Sequence, residues 1–122
     1  MNLNEVVPWG RSYEEYVKMF NLASQDLNGK ILDCAGGPAS FNAEATQKGY
    51  RIISCDPLYR FTSEEIASRI YETYETIVDG ARANQDRYVW KEIGSTEYMG
   101  EIRMATMRPF LADFPLGVEK GR

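Results

Sequence analysis

The chain contains no histidine. Histidine-based triads, imidazole metal ligands and the usual protonation switch near neutral pH are therefore excluded. It also has no basic cluster. With a net charge of −4 spread over ordinary acidic and basic residues, nucleic acid is not an expected partner. No apolar run is long enough to span a membrane, so no membrane partner is expected. Met1 is followed by Asn2 and later Glu5 rather than by a basic and then an apolar segment. No signal peptide is read there, and a cytoplasmic location is the expectation. Cysteine is scarce, with only Cys34 and Cys55. Both fall near the ends of neighbouring predicted strands and so stand close together. A redox pair or a metal site is one reading. Two small buried hydrophobes in a reduced compartment is the other, and the expected one.

What is present suits a single folded domain. The 122 residues are 43% hydrophobic and 26% charged, which is ordinary for a globular chain. The most informative stretch runs from Lys30 to Pro57. Ile31 and Leu32 begin a short strand that ends at Asp33, and Gly36, Gly37 and Pro38 break it. Ser40 is placed to cap a helix through Ala43, Ala45 and Thr46, which Gly49 stops. Tyr50 to Cys55 supply a second strand, closed by Asp56 and Pro57. A strand, helix and strand of this length form one βαβ unit with parallel strands and a right-handed crossover.

This unit has a chemical use. Gly36 and Gly37 carry no side chain to keep a ligand from the backbone, and the next helix aims its free N–H groups at the same place. Asp56 ends the second strand about 20 residues later, where an acid can accept both hydroxyls of a ribose. The turn reads A-G-G-P-A-S, which fails the dinucleotide spacing G-x-G-x-x-G. Pro38 removes one N–H that a pyrophosphate would need, and Asp33 puts a negative charge at the mouth. A dehydrogenase fragment is therefore disfavoured. A ligand with an ammonium group at one end and a ribose at the other suits Asp33 and Asp56 together.

The segments ILDCAGGPASF and ISCDPLY resemble motif I and the ribose-binding acidic position of the class I S-adenosylmethionine-dependent methyltransferases. VVPWGRSYEEYVKMF and MRPFLADFPLGVEKGR are similar to one bacterial branch of that superfamily. The resemblance covers nearly the whole chain but only the front half of such an enzyme. It implies a partial Rossmann-like α/β fold in one incomplete domain over residues 1–122, with S-adenosylmethionine as cofactor. Asp33 matches the acidic start of motif I and Gly37 its central glycine, while Ala35 and Ala39 stand where glycine is more usual. Asp33 and the backbone of Ala35, Gly36 and Gly37 are then expected at the amino-acid end of the cofactor. Asp56 is expected at the ribose, and Pro57 and Leu58 beside adenine. Arg11 lies where such enzymes often place a residue for the methionine carboxylate, although a solvated arginine is an equal reading. The methyl acceptor, small molecule or protein, is not named by the sequence. With the third and fourth strands of the superfamily absent, little activity is expected of the chain alone. A non-catalytic nucleoside-binding or assembly module is the alternative.

Outside this unit, Ser12 and Glu15 form a capping box that starts a helix with Tyr13, Tyr16, Val17, Phe20 and Ala23 on one stripe, expected to pack on the sheet. Thr62 or Ser63 with Glu65 starts a long helix to about Ala83. Its apolar stripe is Ile66, Ile70, Tyr74, Ile77, Val78 and Ala81, and Glu64, Glu65, Arg69, Glu72 and Glu75 read as its solvated face. Residues 87–90 read as a short strand or a loop. Ser95 is expected to cap a last helix with Tyr98, Ile102, Ala105 and Met104 inward, kinked or ended by Pro109, with a loop from Leu111 to Arg122. Two confident strands and about four helices result. So small a sheet leaves its edges open, and a homodimer through those edges or through exchanged elements is expected.

Overall fold

The computed structural model describes residues 2–83 and 96–122. The expected strand at 87–90 and the Ser95 cap lie outside these residues. The described chain is mixed α/β. Helix α1 (Tyr13–Phe20) precedes strand β1 (Lys30–Cys34), helix α2 (Phe41–Gln47) and strand β2 (Arg51–Cys55). Two long helices follow, α3 (Ser63–Ala83) and α4 (Thr96–Lys120). Short 3-10 turns occupy Leu3–Glu5, Ser24–Leu27 and Pro57–Arg60. The strands pair in parallel, with Leu32 opposite Ile53 and Cys34 opposite Cys55.

Local chemistry sets the helix starts. The Ser12 hydroxyl accepts from the Glu15 N–H at 3.2 Å, and the Glu15 carboxylate accepts from the Ser12 N–H at 3.0 Å. Thr62 and Glu65 repeat this exchange at 3.1 and 3.0 Å ahead of α3. Ser40 does occupy the cap position of α2, but its hydroxyl donates to Glu44 Oε2 at 2.7 Å instead of accepting a helix N–H.

The core has two parts. One joins Leu58, Ile66 and Ile70 to Met104, Met107 and Phe110, between α3 and α4. The other packs Phe41 and Ala45 of α2 on Ile31 and Ile52 of the sheet, with Leu27 below. The α1 stripe does not lie on the sheet. Tyr13 and Tyr16 stack on Phe41 with ring centroids 5.7 and 4.5 Å apart, so α1 rests on α2, and Phe20 is left 61% exposed. The opposite sheet face carries no helix among the described residues. Leu32 and Ile53 are therefore 64% and 47% exposed. Cys34 and Cys55 share that face and are exposed too, which corrects the expectation that they are buried.

The C-terminal segment is also corrected. Residues from Leu111 onward continue α4 to Lys120, straight through Pro109 and Pro115. Each proline removes one ladder N–H, a loss of about 3 kcal/mol in a helix interior. Burial of Met104, Met107 and Phe110 against α3 offsets this. The inner face of α4 is Met99, Arg103, Met104, Thr106, Met107 and Phe110, whereas Tyr98 and Ala105 face outward. The chain then turns at Gly121, and the Arg122 carbonyl accepts from the Ser54 N–H of β2 at 3.0 Å. Arg69, read as solvated, donates instead to the Val6 and Asn4 carbonyls, both at 2.7 Å, and ties the N-terminal segment to α3.

Candidate functional site

The candidate site forms where β1 and β2 end. β1 delivers Asp33, half-buried, and the chain leaves the strand through Ala35, whose N–H donates to the Cys55 carbonyl at 2.7 Å. Ala35 and Gly37 both adopt left-handed backbone, at φ 59° and 58°. Between them Gly36 faces the Asp33 carboxylate so closely that a Cβ would stand 2.7 Å from Oδ2. A side chain there would push the acid and the Tyr16 hydroxyl aside, so the glycine lets both close over the turn.

Asp56 ends β2 and ties three pieces together. Its Oδ2 accepts from the Gly37 N–H at 3.0 Å and its Oδ1 from the Leu58 N–H at 2.8 Å. Each oxygen keeps a further lone pair. The carboxylate thus caps the Pro57–Arg60 turn and holds the glycine turn over the strand ends. Two tyrosines complete the arrangement. Tyr16 of α1 donates to Asp33 Oδ1 and Oδ2 at 3.2 and 3.3 Å. Tyr59 donates to the Gly37 carbonyl at 2.7 Å. Sequence reasoning placed Tyr16 only on a packing stripe and gave Tyr59 no role. Their partners are 17 and 22 residues away, so no local pattern marks them.

The electrostatics are those of a cation-accepting mouth. Burial pushes the Asp33 carboxyl above its ordinary 3.8; the Tyr16 hydrogen bond works against this and the Asp56 charge adds to it. Burial, and then the Asp33 charge, holds the Tyr16 and Tyr59 phenols well above the ordinary tyrosine range. Both therefore remain hydrogen-bond donors at any working pH.

The eight sequence-derived residues divide. Asp33, Ala35, Gly36, Gly37 and Asp56 come together at the strand ends. Pro57 is exposed beside them. Leu58 is 1% exposed and its side chain belongs to the α3–α4 core, so only its backbone reaches the site. Arg11 is half-exposed and pairs with Glu15 at 3.4 Å, while its carbonyl accepts from the Ser40 N–H at 3.0 Å. Its fixed contribution is that backbone bond.

A separate cavity of about 190 Å³ lies between α2, β2 and α4. Its polar lining is already paired: Arg122 binds Asp113 at 2.6 and 2.9 Å, and Asn42 donates to Ser54 Oγ at 2.9 Å.

Among known proteins, one from Methanocaldococcus jannaschii, described as uncharacterized protein MJ0045, is similar to this chain. It is 35% identical over 115 residues, which are 93% of this chain and 52% of that protein. The chain spans about half the length of this relative. No family model and no solved structure matches.

Proposed function

We propose that the chain is the cofactor-binding portion of an S-adenosylmethionine-dependent methyltransferase with a Rossmann-like fold, working in the cytoplasm on a small-molecule or protein acceptor. The observation that carries this reading is the pairing of two carboxylates across one glycine turn. Among the described residues Asp33 receives the Tyr16 hydroxyl alone and keeps lone pairs for an ammonium group. Asp56 keeps one lone pair per oxygen for a diol, and Gly37, where a Cβ would meet nothing within 4 Å, leaves the backbone open between them. These groups fit the amino-acid and ribose ends of such a ligand. When bound, the cofactor supplies a methyl group on a sulfonium. The chain's contribution is alignment, which is most of what methyl transfer requires. Nothing among the described residues presents an acceptor to that methyl, so turnover by the chain alone is expected to be negligible.

Calorimetry with S-adenosylhomocysteine tests the reading. Asp33→Asn is the cleaner variant, because Asp56→Ala also removes the caps on Gly37 and Leu58. Loss of a charge-assisted bond of about 2 kcal/mol weakens binding roughly 30-fold. The same variant is expected to melt higher at neutral pH. A carboxyl whose folded pKa is raised penalises the fold once pH exceeds its unfolded value, here near 3.8, and asparagine carries no such penalty. The gain should vanish as pH falls below that value. Absence of heat and of any melting shift with the unmodified chain would reject the cofactor assignment.

A second reading, an assembly module, is favoured by one observation. Leu32 and Ile53 lie side by side on an uncovered face of the sheet. A homodimer that covers this face is expected to dissociate in Leu32→Lys at micromolar concentration, as read by light scattering. A wild-type chain that is already monomeric there would reject it.

A further inference from the structure

Cys34 and Cys55 face each other across the sheet in matched register, and Cys55 Sγ donates to Cys34 Sγ at 3.5 Å. Both are free and exposed. Neighbouring strands run about 4.8 Å apart, inside the Cα separation of about 4.4–6.8 Å that a disulfide accepts. Bond formation therefore needs a rotation of the side chains and not a movement of the strands. Among the described residues no cluster of three or more histidine, cysteine or acidic side chains could hold a metal ion, so the two sulfurs lack the company of a metal centre. The Cys55 thiol is held above its ordinary value, chiefly because it shares its proton with Cys34. Cys55 is therefore not a standing thiolate nucleophile.

We propose that Cys34 and Cys55 form a dithiol site that exchanges with low-molecular-weight disulfides and closes to an intrachain disulfide across β1 and β2. In the first step one cysteine thiolate attacks a sulfur of the small disulfide. A mixed disulfide forms and one small thiolate leaves. In the second step the other cysteine, deprotonated, attacks the protein sulfur of that mixed disulfide. The Cys34–Cys55 bond forms and the second small thiolate leaves. The two protons lost by the protein end on the two released thiols, the protein is oxidised by two electrons, and the small disulfide is reduced. The bond would lie directly beneath the Ala35–Gly37 turn, since the Cys55 carbonyl holds the Ala35 N–H. It would fix the strand ends that carry Asp33 and Asp56. Closure itself does not depend on what the site binds.

The experiment incubates the full reduced chain with excess glutathione disulfide at neutral pH, followed by intact-mass analysis and digestion. The expected product is monomeric, lighter by one pair of hydrogen atoms, free of glutathione, and yields a peptide pair joining Cys34 to Cys55. Cys34→Ser and Cys55→Ser should each stop at a single bound glutathione. The closed form should melt higher than the reduced form, and dithiothreitol should reverse the change. Two glutathiones per chain, chains linked to one another, or thiols that react only after denaturation would each overturn the proposal. A closed form that melts lower than the reduced one would overturn it as well, because the strands would then have to part to make the bond.

Discussion

Gly10→Ala is expected to destabilise the fold by about 3 kcal/mol or more, although Gly10 lies outside every helix and strand. A Cβ at Gly10 would stand 2.0 Å from the Pro38 carbonyl oxygen and 2.4 Å from its carbon. Both atoms are backbone, so no rotamer change relieves the clash. The Pro38 segment cannot retreat cheaply either. Pro38 and Ser40 are buried, and the Ser40 N–H is bonded to the Arg11 carbonyl at 3.0 Å. The segment around Gly10 thus lies flat against the glycine turn and fixes its outer wall. Urea denaturation measures the loss, which at this size corresponds to a melting temperature lower by roughly 10 °C. Gly29→Ala is the control: a Cβ there meets nothing within 4 Å, and the change should be neutral or mildly stabilising. Equal losses at the two glycines would show that the close approach to Pro38 is not what Gly10 provides.

What the sequence made legible was mostly local. Ser12 with Glu15 and Thr62 with Glu65 announce helix starts because both partners lie within three residues. The βαβ unit is legible for a similar reason: its punctuation, Gly36 to Pro38, Gly49, and Asp56 with Pro57, sits at the element ends. Asp33 and Asp56 were found because strand ends and a glycine turn bring them together in any fold of this type. Non-local balances were not legible. Pro109 and Pro115 look like helix breakers until the burial of Met107 and Phe110 is set against them. Cys34 and Cys55 look like core residues until it is known that no described helix covers their side of the sheet. Tyr16, Tyr59 and Arg103 carry no pattern, because each acts on a partner far along the chain. The folding of α4 depends on the same long-range terms, so its length, its inner face apart from Met104 and its buried arginine were missed together.

That arginine carries the second large effect. Arg103→Met is expected to cost about 3 kcal/mol at neutral pH, because it leaves two polar partners without their cation. Arg103 is 5% exposed. It donates to the Gly10 carbonyl at 2.6 Å, pairs with Glu15 Oε1 at 2.6 Å and lies over the Trp9 ring at 6.0 Å. One guanidinium therefore joins α4 to the cap of α1 and to the segment that walls the glycine turn. Methionine keeps the apolar stem of the arginine and ends about where its Nε stands, so the loss reports the contacts of the guanidinium. The pH dependence separates the two partners. Burial alone would raise the Glu15 carboxyl, but the Ser12 N–H, the Arg103 hydrogen bond and the Arg103 and Arg11 charges bring it below its ordinary 4.5. A folded pKa below the unfolded one means stability that is fully present above about pH 4.5 and is lost as pH falls through the lowered folded value. The deficit of Arg103→Met relative to wild type should accordingly be largest near neutrality and shrink below about pH 4.5, as Glu15 protonates in both proteins. What remains at low pH is the unpaired Gly10 carbonyl. Chemical denaturation of both proteins between about pH 7 and pH 3 provides the measurement. A deficit that stays constant across that range would mean that the ion pair with Glu15 contributes nothing and that the carbonyl contact alone accounts for the effect.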